Sequence, residues 1–170
     1  MTDPPNDSSP VLLVLLGASN LARGYYGLIH FLRRHLHPRP LLVLNALGPG
    51  RGYCAEGGIF NVVYPPIRAC GIMDAVREKA KPPCRVVALI TDIGNDIMYG
   101  VPVKTITDCV VELLKTFREL DANVLMTSIP SSMERDIGKI PFAILRTLFY
   151  PKSQVERSQA ASAVIEINHL

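Results

Sequence analysis

At 170 residues the chain has the length of one domain with a sizeable core. Hydrophobic residues make up 48% and aromatic ones only 6%, with no Trp, so the expected core is aliphatic, as in layered α/β proteins. The net charge of +3 is scattered except for Arg33, Arg34, His35, His37 and Arg39; with no stacking aromatics among them, these read as a solvated helix end rather than a nucleic-acid surface.

The cysteines, Cys54, Cys70, Cys84 and Cys109, form no CxxC and no metal-ligand spacing with histidine, so no metal and no disulfide framework is read from them. The apolar run after the polar start is too short for a signal peptide or a membrane span. A reduced, cytoplasmic protein with no membrane partner and no cofactor is expected. Residues 1–10 read as a disordered tail ahead of a single domain at 11–170.

The first element is Val11–Leu16, six apolar residues running into Gly17, the signature of a buried parallel strand. Ala18-Ser19-Asn20 then opens a helix predicted from Asn20 to about Leu36, closed by His37-Pro38-Arg39-Pro40. Leu41–Asn45 is a second buried strand. It feeds Gly48-Pro49-Gly50-Arg51-Gly52, where glycines let backbone amides approach a ligand. The chain stays irregular to Pro65-Pro66, and Tyr53, Phe60 and Tyr64 in this loop are candidates to line a pocket.

Ile67–Lys81 has helical spacing and is stopped by Pro82-Pro83. Arg85–Thr91 is a third strand and delivers Asp92-Ile93-Gly94-Asn95-Asp96 at its carboxyl end. Lys104–Leu120 is the clearest amphipathic helix, with Ile106, Val110, Leu113, Leu114 and Phe117 on one side. A fourth strand, Asn123–Ile129, leads into a long connection, Pro130–Pro151, holding a short helix at Phe142–Phe149. Ser153 to about His169 is the last helix. Strand and helix alternate, which predicts a parallel sheet with right-handed crossovers and helices on both faces. The carboxyl ends of the first three strands share one edge, so Ser19, the glycines near residue 50 and Asn95-Asp96 come together there.

Ser19 has two readings at this edge, a helix N-cap or a nucleophile. Asn95 likewise reads as a turn residue or as a side-chain donor facing the crevice. A serine attacking a carbonyl needs donors aimed at the oxyanion, and a serine amide, a glycine amide and an asparagine carboxamide from three segments supply such a set. Asp92 and Asp96 border the crevice, to hold a loop or to position Ser19.

The segments GASNLARG, GPGRG and DIGND resemble the first three sequence blocks of the SGNH, or GDSL-like, hydrolases, a likeness running from about Val11 to Pro151. The resemblance implies a flavodoxin-like three-layer α/β/α sandwich of strand order 2-1-3-4-5, and hydrolysis of a small-molecule ester or acyl ester without a metal. It further implies Ser19 as nucleophile, a turn glycine as oxyanion donor (Gly50, with Gly48 or Gly52 as alternatives) and Asn95 as third donor. Asn20, Gly48, Gly52 and Asp96 complete the site as substrate contacts. Two positions depart from the family pattern: Ala18 replaces an Asp, and Ile93 stands where a glycine leads the third block.

The family's Asp-x-x-His, whose histidine is the general base, follows a fifth strand that is not evident here. Glu166-Ile167-Asn168-His169 matches acid-x-x-His, which makes His169 the candidate base, against the plainer reading of a helix-end histidine. His30, His35 and His37 lie along or past the first helix and away from the strand ends. A fourth strand with no neighbour is an apolar sheet edge, so the chain is expected to be a fragment whose parent carries one more strand and the missing block.

Two other functions compete. One is a binding module that keeps the oxyanion pocket and has lost the base. The other is a dinucleotide-binding oxidoreductase, which the sequence disfavours: Asn20 stands where a middle glycine is needed and Asn45 where an acidic ribose ligand is needed. Arg51, Arg135 and Lys139 in the two long loops read as solvated charges, with recognition of an anionic ester as the alternative.

Overall fold

The computed structural model describes residues 8–59, 61–130 and 138–169. Of the expected features, most of the tail (1–7), Phe60 and Arg135 lie outside the described residues. The elements are β1 (Val11–Leu16), α1 (Ser19–Leu36), β2 (Leu41–Ala46), a 3-10 turn (Ile67–Ala69), α2 (Ile72–Lys79) and β3 (Arg85–Ile90). They continue with α3 (Asn95–Met98), α4 (Val103–Glu119), β4 (Asn123–Met126), α5 (Lys139–Phe149) and α6 (Arg157–Ile167).

The described strands form one parallel sheet of order β2-β1-β3-β4, the three-layer α/β/α, flavodoxin-like arrangement expected from the alternation. β1 lies between two neighbours, with Val11 beside both Leu41 and Arg85. Because strand side chains alternate between faces, its unbroken apolar run feeds two cores. Leu12, Val14 and Leu16 join the larger one with Val76 of α2, Val110 and Phe117 of α4 and Val164 of α6, while Leu13 and Leu15 meet Ile29 of α1 on the other face. No helix among the described residues is long and apolar enough to cross a membrane.

Several boundaries differ from expectation for local reasons. The helix predicted over 67–81 is interrupted at Gly71, whose φ of 78° is left-handed, so a 3-10 turn precedes a shorter α2. β4 stops at Met126: the Thr127 amide still donates to Ile90 O at 3.0 Å, but β3 ends there and offers no further partner. α5 starts earlier than predicted, with Pro141 in its first turn, where a missing N–H costs no helical bond. α6 starts later, at a capping box in which Gln159 Oε1 accepts from the Glu156 amide at 3.0 Å.

β4 is an edge among the described strands, and its Leu125 is 62% exposed whereas Leu12 of β1 is fully buried. Chemical denaturation should therefore separate the two positions. Leu12→Ala should cost about 2–5 kcal/mol, and Leu125→Lys should stay within about 0.5 kcal/mol of wild type.

Candidate functional site

The carboxyl edge of the sheet is built around two aspartates that follow β3. Asp92, at φ 59°, turns its carboxylate toward the start of α1, where Oδ2 accepts from the Ala18 amide at 2.9 Å and Oδ1 from Asn20 Nδ2 at 2.7 Å. Thr91 Oγ1 donates the carboxylate's third bond, the second to Oδ2, at 3.2 Å. An anionic group at a helix N-terminus is favourably placed in the field of the aligned peptide dipoles. Ala18 is the N-cap of α1 and has no side-chain oxygen, so the carboxylate arrives from β3 instead.

Ser19 is consequently the first helical residue and not the cap; it is half-buried, and its hydroxyl makes no hydrogen bond to any described residue. Asn20, expected as a substrate contact, is held between Asp92 and Arg23, whose Nη2 donates to Asn20 Oδ1 at 2.6 Å. Among the described residues no cluster of His, Cys, Asp or Glu has the make-up of a metal site.

Of the two roles weighed for Asp96, holding a loop or positioning Ser19, the structure shows the first. Expected at the crevice wall, it is fully buried and faces the glycine-rich loop, where Oδ2 accepts from the Tyr53 amide at 2.6 Å and Oδ1 from Cys54 and Ala55 at 3.0 and 2.9 Å. Burial raises its pKa above the ordinary carboxylate value, outweighing the three amides that pull it down. Gly52 gives this carboxylate room, since a Cβ there would sit 2.7 Å from Asp96 Oδ1. Tyr53 adds a second pin: its buried hydroxyl meets Leu16 O at 2.9 Å and Thr91 O at 2.7 Å, tying the loop to the ends of β1 and β3. Burial holds that phenol well above its usual pKa, so it stays a donor.

The other loop glycines also serve the chain's own packing. A Cβ on Gly48 would lie 2.5 Å from the Tyr64 ring, and Gly50 takes a left-handed φ of 73° with its carbonyl accepting from Tyr99 Oη. Hence Gly48 and Gly52 are needed first for tyrosine and aspartate packing. The Gly50 amide donates to no described residue.

Asn95 begins α3, and its side chain is oriented without ambiguity. The Arg51 carbonyl, 3.0 Å from Nδ2, is an acceptor only, so Oδ1 must be the atom that accepts from Tyr150 Oη at 2.7 Å. Tyr150 is kept protonated by burial, which raises its pKa. No sequence signal marks Tyr150, which stands 55 residues from Asn95 with no motif around it. One Nδ2 hydrogen is used on Arg51; the second meets no acceptor among the described residues.

Asn95 shares a cleft of about 500 Å³ with Asn20, Leu21, Thr91, Asp92, Gly94 and residues 127–130. Ser19 is adjacent in sequence and not on this lining. Tyr150 also lines a second cavity of about 330 Å³, together with Val62, Val63, Met98, Tyr99 and Phe149.

The C-terminal turn reaches the same cleft. Asn168 clamps Ile129 at both backbone atoms, Nδ2 donating to its carbonyl at 2.6 Å and Oδ1 accepting from its amide at 2.9 Å. His169, the next residue, is exposed, and its amide meets Glu166 O at 3.3 Å. The α6 end therefore lies by the tip of β4. Of the remaining histidines, His35 stacks on Phe31 with ring centroids 3.9 Å apart, and His30 and His37 are exposed on or past α1. Neither a protein-family model nor a curated protein matches this sequence.

Asp96→Ala leaves three loop amides without their acceptor, and denaturant titration should register a loss of roughly 3–5 kcal/mol. Asp96→Asn tests the raised pKa. The folded chain holds that proton more tightly than the unfolded chain, so the carboxylate's contribution declines as pH rises from the unfolded carboxylate range through the folded pKa. Wild type's stability lead over Asp96→Asn should thus narrow with rising pH; a widening gap contradicts the assignment.

Proposed function

We propose that the chain is a serine hydrolase of small esters or acyl esters, working as the SGNH hydrolases that its motifs resemble. The observation that carries this reading is the single cleft joining the start of α1 to Asn95, with Asn95 rigidly oriented between Arg51 O and Tyr150 Oη. Ser19 Oγ adds to the ester carbonyl carbon while its proton passes to a base. The amides of Ser19 and Gly50 and the spare Asn95 Nδ2 hydrogen stabilise the oxyanion. Collapse of the tetrahedral intermediate breaks the bond to the alkoxy oxygen, which leaves with the proton as the alcohol. Water then cleaves the acyl-serine, releasing the acid and restoring the hydroxyl.

His169 is assigned the base role in this scheme, supported by the clamp that Asn168 makes at the cleft's edge. A cytoplasmic setting accompanies the proposal, in keeping with cysteines that are all free thiols. A second reading, a module that binds acyl ligands without turnover, is favoured by one observation: no described side chain contacts the Ser19 hydroxyl as a base would.

Hydrolysis of p-nitrophenyl acetate and labelling by a fluorophosphonate decide between them. Both signals should vanish in Ser19→Ala, and Asn95→Ala should lower kcat by about 10²–10³-fold. Saturable ester binding with neither turnover nor labelling makes the chain a binding module. Unchanged kcat in His169→Ala moves the base elsewhere.

A further inference from the structure

Arg51 departs from its expected role as a solvated loop charge. It is only 8% exposed, and its Nε is enclosed with no hydrogen-bond partner among the described residues. Among the described residues the guanidinium makes one hydrogen bond, a long one from Nη1 to Leu47 O at 3.4 Å, beside a contact with the Tyr64 ring 5.6 Å from its centroid. No carboxylate pairs with it among the described residues. Lys139, by contrast, is exposed at the start of α5, as a solvated charge should be.

A cation taken out of water needs an anionic partner or several acceptors, and a carbonyl with a tyrosine face supplies little of that. Arginine offers five N–H donors in a rigid fork suited to carboxylate and phosphate oxygens. Its location bears on the site already described. Arg51 follows Gly50 in the turn, and its own carbonyl receives Asn95 Nδ2. Its head group rests at Leu47, one residue past Ala46, whose carbonyl receives the Gly17 amide at the root of α1.

We propose that Arg51 is the receptor for an oxyanion carried by the ligand, so that the preferred esters are acids as well: half-esters of dicarboxylic acids, or esters bearing a phosphate. The inference rests on the proposed hydrolase site for its reaction, though not for its binding. Arg51 thereby sets specificity, while the oxyanion donors set rate. Tyr64, seated against the Gly48 backbone, lies with its ring centroid 5.6 Å from the Arg51 guanidinium carbon and gives it a cation–π contact.

The test compares p-nitrophenyl hemisuccinate with p-nitrophenyl butyrate. Wild type should favour the acid-bearing ester in kcat/KM. Arg51→Met should reduce the ratio of the two by at least tenfold, with Arg51→Lys between them. Equal losses on both esters, or no preference in wild type, overturn the proposal while leaving the hydrolase intact. If no ester is turned over, calorimetry decides with ligands close in size and shape, monoethyl succinate and ethyl levulinate. Tighter binding of the anion, lost in Arg51→Met, sustains the receptor without the enzyme, and equal binding of the two ends it. Should Arg51→Met not fold, the same calorimetric pair on wild type settles the matter. A parallel titration with inorganic phosphate and with acetate tells which oxyanion the fork prefers.

Discussion

The buried carboxylate of Asp96 is the constraint on which the candidate site depends. It gathers the amides of Tyr53, Cys54 and Ala55, and so converts a long irregular connection into a fixed wall at the sheet's carboxyl edge. Without it, three donors inside the protein would lack acceptors, a state that folded chains avoid. The Tyr53 hydroxyl reaches the last carbonyl of β1, Leu16 O, and the carbonyl just past β3, Thr91 O. Through Gly50 and Arg51, that wall in turn sets where Asn95 can point.

A division of labour between the two aspartates follows. Asp92 secures the opening of α1 and remains at the surface of the cleft, whereas Asp96, four residues on, is withdrawn into the interior. A short helix, Asn95–Met98, makes this possible by turning consecutive side chains about 100° apart. Asn95 is thereby left facing the loop carbonyl and the Tyr150 hydroxyl while its neighbour packs inward.

The architecture is legible in the sequence because its signals are local. Six apolar residues ending at a glycine mark β1 whatever surrounds it, and the 3.6-residue spacing of Ile106, Val110, Leu113 and Phe117 marks α4. The break at Gly71 is hidden because apolar spacing continues across it. The end of β4 is hidden because it depends on where β3 stops. In the site, the positions of Ser19 and Asn95 at one edge follow from topology alone. The burial of Asp96 and Arg51 and the contact of Tyr150 with Asn95 do not, since an acidic or basic residue in a polar loop reads alike whether it faces water or protein.

Asn168 joins the last turn of α6 to the backbone that borders the cleft. Fraying of the C-terminal helix and occupancy of the cleft are thus thermodynamically linked: a ligand that binds more tightly when Ile129 is clamped draws the end of α6 into order, and one that must displace Ile129 loosens it. The last turn of α6 is in this way a gauge of what the cleft contains, readable by amide exchange along that helix.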